Sequence, residues 1–117
     1  MRKILPLLLA LLMLACNRTK HNSASDPAYS MLERVAELNA GGDKHGALAL
    51  ADSALRMHPA DTTRCWLLSE KAVTLVDMGR MADAVDVAQG AYRLAEKLHD
   101  VDAMLNLRGT MGIAYRR

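Results

Sequence analysis

The side chains able to do chemistry in this 117-residue chain are few and scattered. Four histidines stand at positions 21, 45, 58 and 99. None has another His or a carboxylate at a ligand spacing such as i, i+4 on one predicted helix, which would put two metal ligands on one face. Gly41-Gly42 is the glycine pair nearest in kind to a phosphate loop, but it lacks the following Lys-Ser/Thr that a nucleotide loop uses. Cys65, beside Trp66 in an apolar predicted helix, reads as a small packed residue. The alternative for it is a reactive thiol. No catalytic set, metal site or cofactor site emerges, so no enzyme activity is expected of these residues.

The elements that carry them are small and aliphatic. The chain has no Phe, one Trp and three Tyr, and 51% of it is apolar. Such a composition suits helices packed closely on one another, and the length allows one domain. The formal charge is +2, from 15 basic and 13 acidic residues. Arg2 and Lys3 account for that excess. With no basic stripe beyond them, nucleic acid is not an expected partner of this segment.

Residues 1–15 read as a signal peptide. Arg2 and Lys3 precede the apolar run Ile4 to Ala15, which is followed by Cys16. As a helix the run would span about 18 Å, short of the roughly 30 Å hydrocarbon core. "MLAC" resembles the lipidation site of a bacterial lipoprotein signal. The resemblance implies diacylglycerol and N-acyl chains on Cys16, with the mature chain starting there. Each buried methylene would add about 0.8 kcal/mol of anchoring. Met13 and Leu14 are bulkier than the usual residues at their places, and the other reading is an ordinary signal cut near Ala15. With lipid on Cys16, Cys65 would be the sole remaining thiol and no intrachain disulfide could form. The expected location is the cell envelope, lipid-anchored and facing the periplasm or the cell surface.

Residues 16–25 then hold the anchor Cys and a polar tether, "NRTKHNSAS" from Asn17 to Ser25. A helical domain is expected over 26–117. Asp26-Pro27 is a cap followed by a first-turn proline, and Met31, Leu32, Val35 and Leu38 recur at helical spacing. Gly41-Gly42 breaks that helix. Asp43 caps the next, whose stripe Ala47, Leu50, Ala51, Ala54 and Leu55 runs to Met57 before Pro59. In "ADTTR", Asp61, Thr62 and Thr63 are all competent caps for a third helix. Gly79 turns that helix into a fourth, with Ala84, Val87, Ala88, Ala91, Leu94, Ala95 and Leu98 along it.

The chain also repeats itself. "GDKHGALALADSAL" aligns with "GRMADAVDVAQGAY", placing Gly42 on Gly79, Ala47 on Ala84, Ala51 on Ala88 and Ala54 on Ala91, an offset of 37 residues. A period of this size marks a solenoid. The spacing of Gly42, Ala47, Ala54 and Pro59, repeated by Gly79, Ala84 and Ala91, resembles the tetratricopeptide repeat (TPR), a helical hairpin of about 34 residues. Glu96 stands where the second unit would have its proline, which predicts a longer second helix there. Met31 and Leu68 replace the early aromatic, and Arg34-Val35 and Lys71-Ala72 replace Leu-Gly, so the units are degenerate. "MGIAY" restores the consensus with Met111, Gly112 and Tyr115. The next turn glycine would fall at position 119, two residues beyond Arg117. This predicts a third unit without its second helix and hence a fragment of a longer protein.

The resemblance implies an all-α fold, a right-handed α-solenoid of TPR-like hairpins. It would hold two hairpins (28–59 and 65–98) and the first helix of a third (105–117). It also implies a binding groove lined by the first helices. The matching positions are Tyr29, Leu32, Ala36 and Asn39, then Trp66, Ser69, Val73, Val76 and Asp77, then Asn106, Ile113 and Arg116. Trp66 beside Asp77 and Arg116 would offer an aromatic anchor with polar edges for a peptide or partner helix. Equally, Trp66 could fill the seam between hairpins. The whole pattern resembles the N-terminal part of Bacteroides-group TPR lipoproteins and sensors, and implies a lipid-anchored protein-protein interaction module. The alternative from another class is part of a starch-binding-type nutrient-uptake lipoprotein.

Overall fold

The computed structural model describes residues 26–116. The expected signal peptide, Cys16, the tether with His21, and Arg117 lie outside them. Five helices follow one another: α1 Pro27–Ala40, α2 Lys44–Leu55, α3 Asp61–Asp77, α4 Met81–Leu98 and α5 Val101–Arg116. There is no strand among the described residues, so the fold is all-α. None of the five helices is long and apolar enough to cross a membrane.

Local chemistry sets most of the boundaries. Asp26 caps α1 by accepting the Ala28 N–H at 3.1 Å, with Pro27 in the first turn. Asp43 caps α2 through the Gly46 N–H at 3.0 Å. Gly42 and Gly79 sit at the two hairpin turns with φ of 84° and 79°, a conformation that side chains bearing Cβ resist. The 12 residues of α2 against the 18 of α4 match the replacement of Pro59 by Glu96. What stops α4 instead is His99, a left-handed cap with φ 55°.

The first helices of the second and third units begin at Asp61 and Val101, each four residues ahead of the repeat bounds 65 and 105. Asp100 caps α5 by accepting the Ala103 N–H at 3.1 Å. None of Asp61, Thr62 and Thr63 caps α3, since its N-cap is Ala60, which has no side-chain bond to offer. From across the fold, the Asp26 carboxylate takes the N–H of that N-cap residue, Ala60, at 3.0 Å. The Thr63 hydroxyl lies close enough to the same carboxylate to help lower its pKa. One side chain thus ties the starts of α1 and α3 together. Burial by itself would raise the Asp26 pKa, but the Ala28 N–H, the Thr63 hydroxyl and the Ala60 N–H outweigh it and hold the carboxyl below its ordinary value.

Alanines make the close packing. Ala47, Ala51 and Ala54 of α2 and Ala84, Ala88, Ala91 and Ala95 of α4 are all at most 1% exposed. Each set repeats at three- and four-residue steps, a stripe without bulk that lets the facing helix approach. Helix α1 packs on α2 and α3, α2 on α3, α3 on α4 and α5, and α4 on α5. Helix α3 serves both halves of the core. Its Leu67 joins Val35 and the α2 alanines, while its Cys65 and Ala72 join Ala88, Ala91 and Ala95 of α4 with Ala103 and Leu107. Among the described residues, every buried side-chain nitrogen and oxygen has a hydrogen-bond partner.

Candidate functional site

Helices α3 and α5 lie side by side, and a groove of about 190 Å³ opens between them. Val73, Val76 and Asp77 of α3 and Thr110 and Ile113 of α5 line it. The i, i+3 pairs Val73/Val76 and Thr110/Ile113 present neighbouring turns of each helix to the same space. Three branched aliphatic side chains form its apolar part, and Ile113 is 45% exposed. Asp77 supplies the one charge in the lining and is itself exposed. Beneath that end, Lys44 Nζ donates to the Asp77 backbone carbonyl at 2.8 Å, placing a cation at the C-terminus of α3. The groove therefore offers an apolar slot with an acidic rim, suited to an aliphatic side chain flanked by a basic group.

Four of the twelve residues singled out from the sequence meet here: Val73, Val76, Asp77 and Ile113. Thr110 was missed. Its hydroxyl donates to the Asn106 carbonyl within its own helix at 3.1 Å, so it needs no further partner to line an apolar slot. Its spacing from Ile113 matches that of Val73 from Val76 and was the available signal.

The other positions divide between structural and unassociated roles. Ser69 is only 2% exposed, and its hydroxyl donates to the Cys65 carbonyl at 2.9 Å, which removes it from any binding surface. Asn39 bridges α1 and α3: its Nδ2 donates to Glu70 Oε2 at 2.8 Å, and its Oδ1 accepts from the Thr74 hydroxyl at 2.8 Å. Leu32 packs on the α1/α2 core. Tyr29 and Ala36 are half-buried on α1, and Asn106 and Arg116 are exposed on α5; none of them lines the groove.

Trp66 does not stand beside Asp77. Both lie on the unbroken α3, about 16 Å apart along its axis at ~1.5 Å per residue. Trp66 packs instead, partly buried, against the core formed by α3, α4 and α5. Arg116 is likewise separate, its Nε donating to the Gly112 carbonyl at 3.3 Å.

Cys65 is fully buried, with Sγ 3.7 Å from the Ala91 carbonyl. Burial, and then the negative charge of Asp100, push its pKa up, away from the thiolate form a reactive cysteine needs. His45, His58 and His99 are all exposed. Among the described residues, no three His, Cys, Asp or Glu side chains converge as metal ligands.

A second cleft of about 260 Å³ lies where α2, α3 and α4 meet. Lys71 and Asp52 pair across it at 2.7 Å. With Arg80 and Asp83 also paired at 2.8 Å, its charges mainly answer one another. In comparisons with known proteins, the chain matches no family model, no curated protein and no solved structure.

Proposed function

We propose that this chain is a protein-protein interaction module of the tetratricopeptide kind, a right-handed solenoid of helical hairpins held outside the cytoplasm by lipid on Cys16. The groove between α3 and α5 is the observation that carries the reading, because neighbouring first helices supply its lining and its chemistry is that of a side-chain receptor. The alanine-lined second helices and the glycine turns of the two hairpins support it further. The occupant is a peptide or partner helix with an aliphatic anchor and a nearby basic residue for Asp77. Contacts of this kind combine a small buried apolar anchor with a polar rim.

Selection of a displayed random peptide library against the chain tests the groove. The selected peptides should share an aliphatic-plus-basic pattern and lose binding to Val73→Arg, while Asp86→Ala, outside the groove, leaves them bound. Peptides indifferent to Val73→Arg would overturn the assignment. The anchor is tested separately by growth with an alkyne fatty acid. Cys16→Ser should abolish labelling and release the protein from membranes, and unchanged labelling would refute the lipid claim.

A further inference from the structure

The outward face of α5 is built like a face that is covered elsewhere in the same molecule. Aligning the starts of α3 and α5, Asp61 with Val101, pairs Thr63 with Ala103, Leu67 with Leu107 and Thr74 with Ala114. All six are buried. The same alignment pairs Cys65, Ser69 and Ala72 with Leu105, Gly109 and Gly112. The α3 residues are at most 2% exposed, with Cys65 and Ala72 packed in one cluster with Ala88, Ala91 and Ala95 of α4. On α5, Leu105 is 61% exposed, and nothing lies within 4 Å of where a Gly109 Cβ would be.

The open face carries its own complement. Asp102, Leu105, Gly109, Gly112 and Arg116 follow one another at three- and four-residue steps, with Ile113 flanking, so they share one side of the helix. The order is symmetric about Gly109. Laid antiparallel on a second α5 with the two Gly109 residues facing, Asp102 meets Arg116, Leu105 meets Ile113, and each meeting occurs twice. Asp102 and Arg116 are exposed, and neither has an ion-pair partner among the described residues. Two glycines inside a helix weaken it relative to alanine. On this face they let a second backbone come close at the crossing. We propose that α5 pairs with α5 of a second copy of this chain, across a twofold axis through Gly109. The proposal does not rest on the peptide groove, with which it shares only Ile113.

A single helix pair buries less than the roughly 1,200 Å² of a stable interface, so the dimer should be weak. The paired charges set the register more than the affinity.

Sedimentation of the full chain in mild detergent tests the association. Asp102→Arg and Arg116→Asp should each weaken it about fivefold, and the double variant should restore it within about twofold. Gly109→Cys, in a Cys16→Ser background, should oxidise to a disulfide-linked dimer, whereas Gln89→Cys on exposed α4 surface should not. Circular dichroism checks that each variant keeps its helices. A chain monomeric to about 0.5 mM, self-association blind to both charge variants, or equal crosslinking from positions 89 and 109 would overturn the proposal. A helix from elsewhere in a longer chain seated on this face would shield the 109 thiol, and that failure to crosslink would also overturn it.

Discussion

Removing the Asp26 carboxylate should destabilise the fold out of proportion to its place just ahead of the first helix. In Asp26→Ala, α1 loses its cap bond to the Ala28 N–H, a loss of about 1 kcal/mol. Helix α3 loses the acceptor for the Ala60 N–H, along with the Thr63 contact. That second loss is about 1 kcal/mol more, after discounting for solvent screening at a partly exposed carboxylate. The sum, about 2 kcal/mol, should lower Tm by about 10 °C in a domain of this size. Asp26→Asn separates the parts, because its amide keeps one accepting oxygen and replaces the other with a donor. About half the loss should remain.

The same carboxylate predicts a pH dependence. Its folded pKa is lowered, so its contribution is fully present above the unfolded carboxyl value of roughly 4 and is lost as pH falls through the folded value. Urea unfolding of the wild type and Asp26→Asn from about pH 8 to pH 3 should show a constant stability difference down to about pH 5, then a shrinking one. A loss below about 0.5 kcal/mol in Asp26→Ala, or a difference that grows as pH falls, would refute the shared-cap argument.

Other outcomes follow from the packing. Ala47→Leu and Ala84→Leu should each cost about 1 to 3 kcal/mol in denaturant titration, because both alanines are fully enclosed at a close helix approach. Ala60→Leu and Ala82→Leu, at exposed positions, should stay within about 0.5 kcal/mol. His99→Gly should stabilise by about 0.5 to 1 kcal/mol, since a left-handed residue bearing Cβ costs ~1–2 kcal/mol and the added chain entropy of glycine offsets part of that. Asn39→Ala should destabilise by about 1 kcal/mol and loosen α1 from α3, visible as faster amide exchange along α1.

The hairpins were legible because their signals are local. Glycine at a turn and alanine every three or four residues act through the backbone of one segment, and Glu96 in place of a proline marks the longer α4 without reference to any tertiary contact. The tie from Asp26 to the α3 start was not legible, because Asp26 lies more than thirty residues upstream and meets Ala60 only after the helices pack. His99 was equally opaque, since a left-handed cap is usually glycine. Within the groove, Val73, Val76, Asp77 and Ile113 were named as positions the repeat resemblance implies, not from a local signal of their own. Ser69 failed because a hydroxyl bonded to its own helix can be buried like an apolar residue, and spacing alone does not distinguish the two. Trp66 failed by distance along the helix, having been grouped with Asp77 by face without regard to the three turns between them.

The groove between α3 and α5 is most directly tested by methyl NMR of the full chain, titrated with a peptide chosen by library selection. The account predicts saturable shifts of the Val73, Val76, Thr110 and Ile113 methyls, with Leu32 and Leu50 unmoved and the response abolished by Val73→Arg. Shifts centred on the α1/α2 hairpin, or an unchanged response in Val73→Arg, would contradict it.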